Sequence, residues 1–532
     1  MASLRDGCLP AVLCLLTCAA VRADTITVQG LGSAAIGAAI EQSKPGDTVL
    51  LPTATYRLTE AVLPKSGIRV VGAGQEQTVL QFAGEADMVM VSLQGCADVT
   101  IADLTLDGMS DPRAGQGIAA YNCRAIEIRR VTIRNLVKGT SLGPHGIHLS
   151  GDNPTREKGV TDSLIADCTM ESIGVDSEWG AGVRLSWGSS LNQVLNCTIR
   201  GTGRGGILAD NGSTDLTICG NRVSGSGGEK LGIEVWGGCD RCVIEDNEID
   251  HWLSIGGCNT CAVRRNTISA TDGTFGFIGI EAIGSDLVFT GNTVDDGQVI
   301  GLSLSNVDPM WYHYYGDNTF RRCSQWGAQL QGEAGGIAYL YLYRCRFIET
   351  TVGRGTVPYP GDEGHGFRIN GNTSHLVLEE CEFAGNARLG LQVTTPTPDY
   401  WSFLRCRITG NKGAAMAAPP AQDALEWVDC LVEGNAGDDL TAPKPFASPA
   451  PIASLDLTGT PRAGEPLRFT ARMGGGRSPI SKVLWDFGEG IPAVGEAVEH
   501  TYTQPGTYQV TAILWDASGR AARAARSVTV EP

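Results

Sequence analysis

Six residues able to hold a sugar or move a proton on it recur at fixed places in one repeated phrase. The phrase reads Gly, apolar, any, apolar. Its third position holds His148, Arg184, Glu234 and Glu281, and two residues further on stand Asp210 and Trp236. Two carboxyl groups across a glycosidic bond serve hydrolysis, one as acid and one as base or nucleophile. Asp210 and Glu234, one phrase apart, supply that pair. Elimination or epimerisation of a uronate needs a cation at the carboxylate and a base for the neighbouring ring proton. Arg184 with His148 or His145 supplies that set, so both chemistries stay open.

Longer stretches at 134–145, 151–160 and 172–181 interrupt the phrases beside these residues and carry His145, Asp176, Glu178 and Trp179. Long loops on a regular scaffold are usual carriers of function. The expected substrate-binding set is therefore Trp236, Glu281, His145, Glu178, Trp179 and Trp187. The expected catalytic set is Asp210, Glu234, His148 and Arg184. Against this, outward positions of any repeat face water, and charged residues belong there.

What must position these side chains is the repeat itself. The phrase-opening Gly falls at 117, 146, 182, 206, 232, 279, 301, 327, 366 and 390, with a shorter coil lacking Gly near Leu253. Alternation inside each phrase has period two, which specifies strands. Strands without hairpin spacing pair with the same strand of the next repeat, giving stacked parallel coils. A dozen such coils make a rod on the order of 55–60 Å long. In every phrase the third residue points outward, so these positions form one row along the rod.

A second column runs through Cys168, Cys197, Asn221, Asn247, Asn266, Asn292, Asn318, Cys345, Cys381, Cys406 and Cys430. Asn side chains stacked at a corner hydrogen-bond along the axis, and Cys is a small, readily buried substitute. Cys239-x-x-Cys242 and Cys258-x-x-Cys261 match four-Cys zinc spacing, but their offset of 19 is one short coil. Stacked thiols or axial disulfides are expected there in preference to metal. Gly201 to Gly206 fits a dinucleotide fingerprint only on paper, because a strand and not a helix follows it. His365-Gly366-Phe367-Arg368 repeats the shape of His145 to His148 seven coils away, about 34 Å, as a distal subsite at most. Trp311 to Tyr315 is an aromatic run expected in local packing.

The ends differ from the body. Residues 1–23 read as a secretory signal, with Arg5 ahead of an apolar run and Val21-Arg22-Ala23 before the cut. The run is too short to span a bilayer, so the mature chain is expected outside the cytoplasm, secreted or periplasmic. Ser33 to Ser43 has helical apolar spacing, as a lid over the first coil requires. Residues 24–440 form the repeat region, and 441–451 is a Pro/Ala-rich linker of the extended kind. Residues 452–532 return to plain alternation, with Trp485-Asp486-Phe487-Gly488 and Pro505-Gly506-Thr507-Tyr508. A net charge of −17, with no basic cluster, excludes a nucleic-acid surface.

The repeated phrase and its ladder resemble the pectin-lyase-like right-handed parallel β-helix superfamily over residues 25–440. The tail resembles PKD-type Ig-like sandwiches. The resemblance implies an all-β fold and a carbohydrate-active enzyme, a glycosidase or polysaccharide lyase or epimerase, binding a polysaccharide along the rod. No polygalacturonase or pectate-lyase motif is intact: Gly364-His365-Gly366 resembles one whose paired-Asp partner is absent. The rival reading is a non-catalytic surface or adhesion protein. No cofactor is called for, and calcium, oligomeric state and the sugar are not legible.

Overall fold

The computed structural model describes residues 23–137, 143–227, 231–269, 276–296, 298–306, 310–353, 363–394, 399–417, 425–437, 451–475 and 479–532. The expected signal segment, up to Arg22, lies outside the described residues, as does the linker up to Ala450. Among the described residues no helix is long and apolar enough to cross a membrane.

From Thr25 to Glu433 the chain winds as a parallel β-solenoid of about 14 turns, slightly more than the dozen expected. At the N-terminal end Thr25–Thr27, Thr48–Leu51 and Arg69–Gly72 stack in register ahead of the regular phrase. The helix Ser33–Gln42 stands over this end and buries Ile36, Ala39 and Ile40. One typical turn comprises His145–Ser150, Leu164–Ala166 and Thr169–Ile173. Each strand pairs with its equivalent one turn on, for example Ile147 with Val183 and Met170 with Ile199. The inward residues of all turns merge into one apolar core running the length of the rod.

The corner that separates the second and third strands is built the same way each time. One residue takes a left-handed backbone, as in Asn196 (φ 54°), Gly220 (φ 69°), Asp246 (φ 57°) and Arg265 (φ 53°). The next is the buried ladder residue. Asn221, Asn247, Asn266, Asn292 and Asn318 each receive the preceding residue's amide column and pass a side-chain bond upward. Asn247 Nδ2 donates to Asn266 Oδ1 at 2.9 Å and to the Ile218 carbonyl at 3.0 Å, while its Oδ1 accepts from the Asn221 amide at 2.9 Å. The side-chain amide of Asn247 is thereby fully satisfied inside the core. A second ladder, Asn386–Asn411–Asn435, runs beyond it.

The C-terminal module is a sandwich of two antiparallel sheets of three and four strands. Trp485, fully buried, donates from Nε1 to the Gly495 carbonyl at 2.7 Å and packs with Phe469, Phe487 and Tyr502. The module is not held away from the rod. Leu484, Ile513, Trp515 and Ala521 form an apolar cluster with Val288, Tyr314, Tyr341, Tyr343 and Val377 of successive coils. Of the aromatic run, Tyr312 and Tyr314 face this seam, Tyr312 meeting Trp515 edge-on with centroids 5.2 Å apart, while His313 and Tyr315 are enclosed in the rod and Trp311 is exposed.

Candidate functional site

The outward row forms as one continuous register. His148 pairs with Arg184, Arg184 with Leu208, Leu208 with Glu234, Glu234 with Ser254, and Ser254 with Glu281. In the second row Asp210 pairs with Trp236 and Trp236 with Gly256. These strands floor a cavity of about 590 Å³ lined by Trp179, Arg184, Trp187, Arg204, Asp210, Asn211, Leu231, Glu234, Trp236, Trp252, Ser254 and Glu281. Seven of the expected residues meet there: Asp210, Glu234, Arg184, Trp236, Glu281, Trp179 and Trp187.

Three do not line it. Glu178 points to solvent from the loop that brings Trp179 over the cavity. His145 and His148 lie under neighbouring chain, at 0% and 8% exposure. The two rings meet edge-on at 4.8 Å. His148 Nε2 bonds Ser186 Oγ at 2.8 Å, and the Nδ1 of each histidine is buried without a partner. Burial, together with the Arg184 charge, pushes His148 down to about 3, and burial first of all holds His145 well below the ordinary imidazole range. Both are neutral at ordinary pH.

The two cations of the cavity are each matched to a carboxylate. Arg184 donates from Nε and Nη2 to Asp210 Oδ2 at 3.0 and 2.7 Å, and its Nη1 lies 3.4 Å from His145 Nε2. Arg204 makes a two-pronged pair with Glu234, Nε to Oε2 at 2.9 Å and Nη2 to Oε1 at 2.7 Å. Both guanidinium groups sit over the Trp179 ring, at 5.5 and 4.9 Å from its centroid. Such pairs fix geometry as well as charge. Glu281 accepts from Ser254 Oγ at 2.6 Å.

Trp236, 43% exposed, owes its position to a glycine. A Cβ on Gly256, the residue stacked on it in register, would fall 1.9 Å from Cε3 of the indole. The ring thus lies flat on bare backbone and turns its other face outward.

Arg204, Trp252, Leu231 and Asn211 were not anticipated. Arg204 stands at a coil junction, inside the glycine-rich stretch discarded as a nucleotide motif. Trp252 opens the one short coil that lacks the leading Gly, so no phrase marks it. The four thiols Cys239, Cys242, Cys258 and Cys261 are buried and unbridged, stacked 239 on 258 and 242 on 261.

A family model described as a right handed beta helix region matches residues 89–250 and 251–437, and a PKD domain model matches 448–530. No curated protein matches. Among solved structures the chain is similar to the pre-mature gene product 12 of bacteriophage phi29, at 16% identity and TM-score 0.49 over 80% of this chain and 58% of that one. The chain thus spans little more than half of that protein. It is also similar to an alginate lyase from Paenibacillus sp. str. FPU-7, at 14% identity and TM-score 0.39 over 66% of this chain and 99% of the other. The periplasmic alginate epimerase AlgG gives 12% identity and TM-score 0.44 over 77% and 85%. These likenesses concern the fold alone. With the matched stretches covering more than half its length and lying on the stacked parallel coils, the chain belongs to the right-handed β-helix family.

Proposed function

We propose that the chain is a carbohydrate-active enzyme of the cell exterior that hydrolyses a glycosidic bond in the cavity over the middle coils. The observation that carries this reading is the composition of the cavity: indole walls with three carboxylates and two guanidinium groups already matched to two of them. Trp faces suit the apolar faces of sugar rings. A uronate at the reacting position would meet arginines already engaged by Asp210 and Glu234, which disfavours elimination and epimerisation.

Glu234 and Glu281 stand two coils apart in the same row. That places their Cα atoms about 10 Å apart, and the scheme requires their carboxyl groups to stand ~6.5–9.5 Å apart with a water between, as in inverting glycosidases. In this scheme Glu281 protonates the departing oxygen. Glu234, oriented by Arg204, takes a proton from the attacking water. Asp210 holds Arg184 in place at the cavity wall and touches no reacting atom. His145 and His148 support Arg184 from beneath.

The test is a polysaccharide screen read for new reducing ends and for the absorbance of unsaturated uronates. Reducing ends without unsaturation are expected, with Glu234→Gln and Glu281→Gln each losing at least about 100-fold in kcat. Unsaturated ends would replace hydrolysis by a lyase reaction. Binding without any product would favour the rival reading, a non-catalytic glycan-binding rod, and activity retained in either variant would remove that residue from the scheme.

A further inference from the structure

Beyond Glu281 the outward row continues through Ser303, Gln329, Arg368 and Gln392, all in register. Arg368 is therefore eight steps from His148, one more than its spacing in the chain suggested, but only three from Glu281, about 14 Å. We propose that Arg368 is a subsite for an acidic substituent, a carboxylate or a sulfate ester, on the glycan held in the cavity. The inference rests on the glycan reading of that cavity.

Three observations carry it. The Arg368 guanidinium lies over the ring of Trp326, 4.8 Å from its centroid, and Trp326 is itself buried at 2% exposure. A planar cation on an indole is fixed in orientation before any ligand arrives. Arg368 Nε is shut off from water with no acceptor, and among the described residues no carboxylate pairs with this guanidinium. The Glu363 carboxylate nearby is taken by His365 Nε2 at 2.7 Å.

This contrasts with the cavity, where Arg184 and Arg204 are both matched by carboxylates. The guanidinium groups along the groove therefore differ, those of the cavity engaged by carboxylates and that of Arg368 facing none among the described residues. The stretch between is continuous: Trp326 shares an apolar cluster with Trp252, which is a wall of the cavity. Around Arg368 the row offers amides, Gln329 bonded to Gln331 at 2.7 Å, and Gln392 with its buried Oε1 unpartnered. Amides bind hydroxyls of either sense, whereas an unmatched guanidinium selects an oxyanion. The substrate class is accordingly an acidic heteroglycan, uncharged at the cleaved bond and acidic a few sugars away.

The experiment uses crystals of the full chain soaked separately with glucuronate, with selenate as an anomalous stand-in for sulfate, and with glucose. The expected result is anion density within hydrogen-bond reach of the Arg368 guanidinium and none for glucose. Density with glucuronate alone assigns a carboxylate sugar, with selenate alone a sulfate ester, and with both an anion-general subsite. Arg368→Gln empties the position, and Arg368→Lys, keeping charge without the planar fork, leaves reduced occupancy. No anion at Arg368 in the unaltered chain, or equal occupancy in Arg368→Gln, overturns the proposal. No turnover is involved, so loss of the hydrolytic reading through Glu234→Gln or Glu281→Gln would show separately.

Discussion

Arg264, fully enclosed, donates from Nε and Nη2 to a single carboxylate oxygen of Asp486 at 3.0 and 2.6 Å, across 222 residues of chain. Its Nη1 reaches the Gly490 carbonyl at 2.7 Å. An outward position of the rod has thus become the buried centre of a contact with the C-terminal sandwich. Breaking one side of such a pair strands the other charge without water. Arg264→Met should cost about 3–5 kcal/mol of stability, read as a fall in the denaturant midpoint. Arg264→Met combined with Asp486→Leu should recover much of it. A single variant as stable as the parent would show the seam to be open to solvent.

The Asn column makes a graded prediction. Asn266→Leu leaves the Asn247 amide and Asn247 Nδ2 without their Asn266 acceptor and the Ile244 carbonyl without its donor. A loss of about 3 kcal/mol or more is expected, since each stranded group costs about 1–3 kcal/mol. Asn266→Cys should be milder, because the same column uses Cys at 168, 197 and 345. Thermal unfolding of the two variants orders them, and the reverse order would contradict the ladder's role.

The buried His148 makes the protein sensitive to acid. Its folded value, about 3, is below the ordinary imidazole value, so it is neutral when folded and gains a proton on unfolding. Stability is therefore full above about pH 6.5 and falls as pH drops toward about 3, by up to about 1.4 kcal/mol per pH unit. His148→Asn should lower stability at pH 7 yet flatten the dependence between pH 6.5 and 4, as read from urea midpoints. Parallel curves for the two proteins would show that His148 is already solvated.

Gly256→Ala tests the bed of Trp236. The added methyl falls on the indole, so the ring must leave its place while the coil's inward residues keep theirs. Expected are a rise in KM of about 5–10-fold on the identified glycan, equivalent to about 1–1.5 kcal/mol, and a small change in kcat. Trp236→Ala should match it. An unchanged KM in both would take Trp236 out of the binding surface.

Much of this was legible because a solenoid turns sequence spacing into geometry. The opening Gly and the period-two pattern put Arg184, Glu234 and Glu281 in one row, and the recurring Asn marked the corner. Less legible were features made by single departures. His145 and His148 sit in the same phrase as their neighbours, and what encloses them is Tyr121, Arg184 and Ser186 on the adjacent coils, which the phrase does not mark. Arg204 and Trp252 belong to a junction and a short coil where the phrase lapses. Arg264 reads like any other outward arginine, since its partner comes from another fold with no repeat in common.

The seam between rod and sandwich reaches from Arg264 to Glu426, where Arg520 makes a second buried ion pair at 3.5 Å. These anchors are six turns apart, about 29 Å, and the sandwich between them has a fixed width. Turns inserted or deleted there would leave one anchor without its mate, whereas turns before Arg264 carry no such constraint. The number of coils from Arg264 to Glu426 is thereby measured out by the module lying alongside.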